Sequence, residues 1–486
     1  MLFSSVEFLF VFLPACSLAY LIVGRLHRPS AAFVLIIFSL IFYATWNYKY
    51  CIFLLVLASI NWKLGNRIAE TKSRGALALG IAINLANLGF FKYYYFIGDT
   101  VRAVMGVSAP YIDIILPLGI SFFTFQKIAF LIDSYRGEVG KVKFLEFILF
   151  VFFFPQLIAG PIVRAKNIMP QLRSLKGDSS GFLLGLSIFS VGLVKKAIIA
   201  DGIARYANPV FAAAGSGYHL HPSDAWSAAI AFAFQIYFDF SGYTDMAIGL
   251  GKMFGVELPR NFASPYQARS IIDFWRRWHI TLSSFLRDYL YFPLGGSRRG
   301  AFTQYRNIMI VMLLGGLWHG AGWTFVIWGG LHGVYLVVNH LWRDCGAGCI
   351  AVRHIGKNLY GLLAWLLTSA AVTVAWVFFR AGSLSSAAHM ASVMLGLSTV
   401  SPFAPILDGS QYVWLALLLS IVTMLPNSNE LFRPGAAEPE SGLLPSKLVA
   451  ALAWRPCLQW TLASVLMFVT GVLFMASDSR FLYFQF

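Results

Sequence analysis

The chain has 486 residues, 58% of them hydrophobic and only 12% charged, with a formal net charge of +16. A soluble domain carries roughly 25% charged residues. A mean hydropathy of +0.70, with 44 Phe, 21 Tyr and 14 Trp, excludes a soluble enzyme. The length fits one membrane domain of roughly a dozen spans at ~20 residues each. The basic residues cluster in loops between apolar segments, the pattern of cytoplasmic loops in multi-pass proteins, so the positive charge does not indicate nucleic-acid binding. Cys16, Cys51, Cys345, Cys349 and Cys457 show no metal-ligand spacing, and no metal site is predicted.

Residues 6–23 lack a basic leader and read as an uncleaved span. Spans near 31–46 and 48–62 follow. Arg25, His27 and Arg28 after the first span, and Lys63, Arg67, Lys72 and Arg74 after the third, place both loops in the cytoplasm and the N-terminus outside. A fourth span near 75–97 leads to a weakly charged outer loop, and a fifth near 112–132 returns to Arg136, Lys141 and Lys143. Segment 144–163 has basic loops on both sides, with Arg164, Lys166, Arg173 and Lys176 following. Its Pro155, Gly160 and Pro161 favour a re-entrant hairpin beside a cavity entered from the cytoplasm, because irregular backbone at membrane depth must be covered by protein or line a wet space. Segments 182–213 and 225–251 form another out-and-back pair. Between Lys252 and Arg306, nine Lys/Arg face three acids, a large cytoplasmic surface. Later spans fall near 307–340, 359–380, 387–400, 411–426 and 458–476, the last three unoriented by charge. The polar stretch 427–447 is too short to fold alone.

Residues 315–323, Gly-Gly-Leu-Trp-His-Gly-Ala-Gly-Trp, set His319 in the middle of an apolar stretch. An ionisable group at that depth is costly and marks a functional site by default. The surrounding glycines permit close backbone approach or a helix break. A helical reading of 273–288 puts Trp275, His279 and Ser283 on one face at i, i+4 spacing, and lets Asp273 and Arg277 pair. His279 reads either as an interfacial histidine between Trp anchors or as a second site residue. His332 reads as structural. In the run from Gln235 to Asp245, Asp239 and Asp245 interrupt an apolar segment. They read as structural support for the site, together with Gln235 and Ser283. Arg260, Arg276 and Arg277 lie in the basic segment around His279, where a planar guanidinium suits an anionic cosubstrate. Lipid headgroups explain the same charges equally well.

A buried imidazole, a second histidine and a cavity with a cytoplasmic basic mouth fit acyl transfer. A neutral imidazole takes the proton of an attacking hydroxyl and returns it to a leaving thiol, while exclusion of water suppresses thioester hydrolysis. No G-x-S-x-G elbow and no P-loop is present. Two other classes compete: a proton-coupled transporter with His319, Asp239 and Asp245 as relay, and a non-catalytic scaffold for polysaccharide export.

The blocks PQLIAGPIVR (155–164), FDFSGYTDMAIGLG (238–251), the run 261–296 containing FWRRWH, and LLGGLWHGAGWTFVIWGGLHG (313–333) resemble the membrane-bound O-acyltransferase family. The opening MLFSSVEFLFVFLP, the segments LPLGISFFTFQ and VAWVFFRA, and the terminal FLYFQF are similar to its bacterial alginate O-acetyltransferase branch. The resemblance implies an all-α polytopic membrane protein, a single domain over 1–486 with its catalytic blocks in 155–164, 238–251 and 261–333. It also implies a ring of roughly 11–13 tilted transmembrane and re-entrant helices around a central tunnel. By this likeness His319 is the catalytic base and His279 the second signature histidine. Charge placement, not the likeness, makes Arg260, Arg276 and Arg277 the expected donor-binding residues, with Trp275 and Trp318 beside them. No tightly bound cofactor is implied. The resemblance implies acetyl-CoA as the donor, docking from the cytoplasm of a bacterium whose inner membrane holds the protein. It further implies a periplasmic acceptor or transferase protein that completes acetylation of an alginate-like polysaccharide, with direct transfer to the sugar as the other route. Family members that acetylate peptidoglycan, and cellulose as acceptor, keep the substrate open.

Overall fold

A computed structural model describes residues 1–107, 112–175, 178–398, 404–432, 446–475 and 481–482. Lys176, the end of segment 387–400, most of the polar stretch 427–447 and the last four residues of FLYFQF lie outside the described residues. Every regular element among the described residues is a helix. Five helices are long and apolar enough to cross a membrane: Phe8–Leu26, Tyr48–Thr71, Arg74–Met105, Ser179–Gly215 and Lys357–Arg380. Shorter apolar helices lie at Ser30–Ala44, Ser410–Met424 and Leu458–Leu473. Large side chains stay uncovered along them, with Val11 67%, Leu367 73% and Leu466 68% exposed. Apolar surface that extensive is unsuited to water and suited to lipid. The chain is an all-α, multi-pass membrane protein.

Two compact units make up the chain. The first comprises Met1–Val194, Gly242–Arg260 and Pro456–Ser479. Its core is aromatic: Phe3, Phe8, Phe12, Phe42 and Phe154 pack at ring separations of 5.0 to 6.2 Å. Helix Ser179–Val194 meets residues 242–253 at backbone contact, since a Cβ on Gly185 or Gly192 would press on the carbonyls of Gly249 or Gly242. Small residues permit such approach, and dispersion between the touching backbones then holds the helices together in lipid. Buried Asn61 and Asn84 bond across their two helices at 2.6 Å, which satisfies amides that would otherwise be stranded in an apolar core. Segment 144–163 forms a helix only over Phe144–Phe152. Those nine residues, at ~1.5 Å each, cover less than half of a ~30 Å hydrocarbon core. Residues 153–163 continue as buried irregular backbone. The expected span near 112–132 also starts late, at Ile120, after Gly119 turns the chain with φ 74°.

The second unit comprises Lys195–Ser241, Asn261–Arg455 and Arg480–Phe486. Its main feature differs from the sequence expectation of one span over 307–340. Two helices, Ala301–His319 and Trp323–Asp344, form a hairpin that turns at Gly320–Gly322. The reason is steric. A Cβ on Gly316 would run into the Phe325 carbonyl, one on Gly329 into the Met312 carbonyl, and one on Gly320 into the Phe325 ring. The glycines that break the helix thus also let its halves touch. Helix Lys357–Arg380 packs on the second arm of the hairpin.

Asp239 is buried in this unit, with an ionic partner that sequence reading missed. Lys196 lies 2.6 Å from Asp239 and 2.8 Å from Asp201, and the Leu482 backbone N–H donates to Asp239 at 3.0 Å. A buried carboxylate without such partners is strongly unfavourable.

Two outcomes test this packing by thermal unfolding of the detergent-solubilised protein. Gly316→Val is expected to destabilise by about 1–3 kcal/mol through overpacking, whereas Gly202→Ala, whose added Cβ meets nothing within 4 Å, leaves stability unchanged or slightly raised. Lys196→Met strands Asp239 and is expected to destabilise by about 3–5 kcal/mol, much of it recovered in the double variant Lys196→Met/Asp239→Leu.

Candidate active site

His319 is the last residue of its helix, at the tip of the hairpin, and is 4% exposed. The turn carries the chain away through the extended backbone of Gly320 and Gly322, so the imidazole closes a helix end. Rings surround it: Trp318 at 4.9 Å between centroids, Trp328 at 5.0 Å, Phe379 at 5.3 Å and His279 at 6.3 Å. The two histidines singled out from sequence therefore meet in one unit.

His279 is fully buried, with Phe240 at 4.7 Å and Trp318 at 6.0 Å. Its backbone differs from the continuous helix expected over 273–288. Helix Ile271–Arg277 ends, Trp278 is extended, and His279 adopts φ 43° and ψ 55° before helix Ile280–Leu286 begins. The cause is a second backbone segment alongside the break. Ala263 N–H donates to the Arg277 carbonyl and Ile280 N–H to the Asn261 carbonyl. The Asn261 side chain accepts from Thr281 Oγ1 at 2.6 Å. A left-handed non-glycine residue costs on the order of 1–3 kcal/mol and persists only where its surroundings over-determine it. Neither ring nitrogen of His279 has a hydrogen-bond partner among the described residues. His279 lies outside the long apolar helices, and burial pushes its imidazole well below the ordinary histidine value, so the ring is neutral near pH 7.

The break separates residues that the helical reading had aligned. Trp275 and Ser283 line a cavity of about 160 Å³ together with Arg287, Tyr291, Met312 and Leu336, while His279 faces the aromatic cluster instead. Trp275 sits at the inner wall, 5.9 Å from Trp328 and 5.2 Å from His332. Of the basic residues, Arg277 is held by Asp273 at 2.9 Å and by the Ala263 carbonyl, as the i, i+4 spacing implied. Arg276 is exposed, and Arg260 belongs to the first unit. Arg287, which sequence reading passed over, reaches the cavity and pairs with Asp288 at 2.7 Å. Gln235 is buried one helical turn before Asp239, and its Oε1 has no partner among the described residues. Asp245 is buried in the first unit.

His332, read from sequence as structural, is fully buried within the same ring cluster and accepts a hydrogen bond at Nδ1 from Trp275 Nε1 at 3.3 Å. Its burial was not legible in a helix flanked by ordinary apolar residues. Lys196 carried a clearer signal, a lysine inside a long apolar helix. Among the described residues no group of His, Cys, Asp and Glu is arranged to hold a metal ion. The arrangement can accept and return a proton at a buried neutral nitrogen in surroundings that exclude bulk water.

The model of the membrane-bound O-acyltransferase family matches residues 116–377, which include the whole histidine cluster up to Trp376. A peptidoglycan O-acetyltransferase of Helicobacter pylori is 42% identical, over 82% of this chain and 81% of its own. A probable alginate O-acetylase of Pseudomonas putida is 37% identical over the full length of both chains. A teichoic acid D-alanyltransferase of Streptococcus thermophilus is 28% identical over 46% of this chain and 57% of its own. The hairpin histidine, its aromatic enclosure and these matches together establish that the chain belongs to the membrane-bound O-acyltransferase family.

Proposed function

We propose that this O-acyltransferase takes acetyl groups from acetyl-CoA at the cytoplasmic side of a bacterial inner membrane and passes them across for O-acetylation of an extracellular, alginate-like polysaccharide. The observation that carries the reading is the burial of His319 at the hairpin tip beside His279. In this mechanism His319 accepts the proton of an attacking hydroxyl. The oxygen adds to the thioester carbonyl carbon, and the tetrahedral species collapses with loss of thiolate, which takes the proton back from His319. The aromatic wall excludes water, so the thioester is transferred rather than hydrolysed. His279 orients the reacting groups from its fixed backbone position. The chain acts as a single catalytic domain with a passage leading to His319, and a periplasmic partner receives the acetyl group for the final transfer to sugar. The cavity lined by Trp275, Ser283 and Arg287 suits the apolar arm of the donor, with Arg287 and exposed Arg276 toward its phosphates.

End-to-end similarity to alginate O-acetylases supports the alginate-like acceptor. A second acceptor, peptidoglycan, is supported by the Helicobacter pylori relative. Acetyl ester measured separately on secreted polymer and on isolated cell wall distinguishes them.

His319→Ala is expected to lower acetyl ester by a factor of ~10²–10⁴ at unchanged membrane abundance. Retention of ester in that variant would remove His319 from the chemistry and return the transporter and scaffold readings. Arg276→Gln and Arg287→Gln are expected to raise the KM for acetyl-CoA several-fold with little change in kcat; an unchanged KM would exclude these arginines as donor contacts.

A further inference from the structure

His332 is fully buried among aromatic rings. Phe274 lies nearly parallel to its ring at 6.1 Å and 9°, Trp328 is at 4.9 Å, Trp275 at 5.2 Å and Tyr335 at 5.8 Å. Its hydrogen bond with Trp275 fixes its protonation state. An indole nitrogen only donates, so Nδ1, which receives the Trp275 N–H, holds a lone pair. The proton of the neutral ring is therefore on Nε2. That Nε2–H has no acceptor among the described residues. An unsatisfied buried donor costs about 1–3 kcal/mol and asks for an explanation. The neighbouring indole repeats the problem: Trp328 is 1% exposed, its Nε1–H also lacks an acceptor, and its ring touches both His332 and His319. Two adjacent donors without acceptors among the described residues thus lie in the ring cluster of the base, Trp328 directly against it.

We propose that His332 donates its Nε2–H to the carbonyl oxygen of the acyl group during transfer, with Trp275 as the positioning residue that fixes the donating tautomer. The proposal rests on the acyl-transfer reading above and adds a residue to it. As the hydroxyl oxygen bonds to the carbonyl carbon, the π pair moves to the carbonyl oxygen, where the His332 proton is shared but not transferred. Collapse of that oxyanion breaks the C–S bond, and the thiolate leaves with the proton that His319 had accepted. His332 ends as it began. A preset donor aimed at developing charge in a water-poor site is worth more than one in water. The sequence carries the pieces as FWRRWH and GGLHG, and folding brings Trp275 of the first onto His332 of the second.

The test uses the full-length protein labelled with ¹⁵N-histidine in lipid nanodiscs, and acetyl ester content of cells carrying each variant. In the wild type, the His332 resonances, assigned by their loss in His332→Gln, are expected to show a protonated Nε2 and a bare Nδ1. Trp275→Phe is expected to release the ring into a tautomer mixture. In activity, His332→Phe is expected to lower ester by ~10²-fold or more. His332→Gln, which keeps an N–H donor, retains most of it. Trp275→Phe lowers kcat, and the accompanying tautomer mixture ties that loss to His332 rather than to the donor cavity that Trp275 also lines. A wild-type proton on Nδ1, or wild-type ester in Trp275→Phe, overturns the proposal even if His332→Phe fails to insert. Wild-type ester in His332→Phe while His319→Ala is inactive overturns this proposal alone, and ester surviving in both overturns the reading beneath it.

Discussion

The site depends on backbone touching backbone. Gly316 and Gly329 let the arms of the hairpin close until only hydrogen fits between them, and that contact fixes where the turn falls. Because His319 ends the first arm, the same contact fixes the imidazole. Helix association in lipid has little hydrophobic drive and relies on close packing, so a site built on glycine contacts is as rigid as its helices. The same device recurs in the first unit at Gly185 and Gly249.

Around the hairpin tip the chain uses aromatic rings where a soluble enzyme would use a hydrogen-bonded shell. Trp318, Trp328, Phe379 and Phe240 wall the histidines with rings. Electrostatic interactions inside such walls are strengthened by the low local dielectric, and each lone pair or N–H facing the interior counts heavily. In the second unit charge is matched in the Lys196–Asp239–Asp201 group and the Asp273–Arg277 pair.

Composition alone made the membrane class legible, and the G-G-x-W-H-G run marked His319 because a titratable group in hydrocarbon is rare. The local pairing of Asp273 with Arg277 followed from helical spacing. Hydropathy could not see the hairpin: an apolar stretch of this length reads the same whether it crosses once or doubles back, and only the Gly316–Gly329 contact decides between them. The break at His279 was equally hidden, because it is imposed by Asn261 and Ala263, a long-range pairing with no periodic signature. The Trp275–His332 hydrogen bond was hidden for a related reason, since it joins residues 57 apart in the chain. Arg287 was one arginine among many until the cavity singled it out.

The left-handed backbone at His279 has a consequence for how substitutions there are interpreted. Alanine at that position would lose the ring and still hold a main-chain shape it dislikes, so lowered activity would mix chemistry with local distortion. Asparagine visits that region of φ and ψ more readily than other side chains except glycine. It therefore separates the contribution of the imidazole from that of the bend. The bend itself is a fixed corner of the scaffold, and it aims whatever side chain stands there.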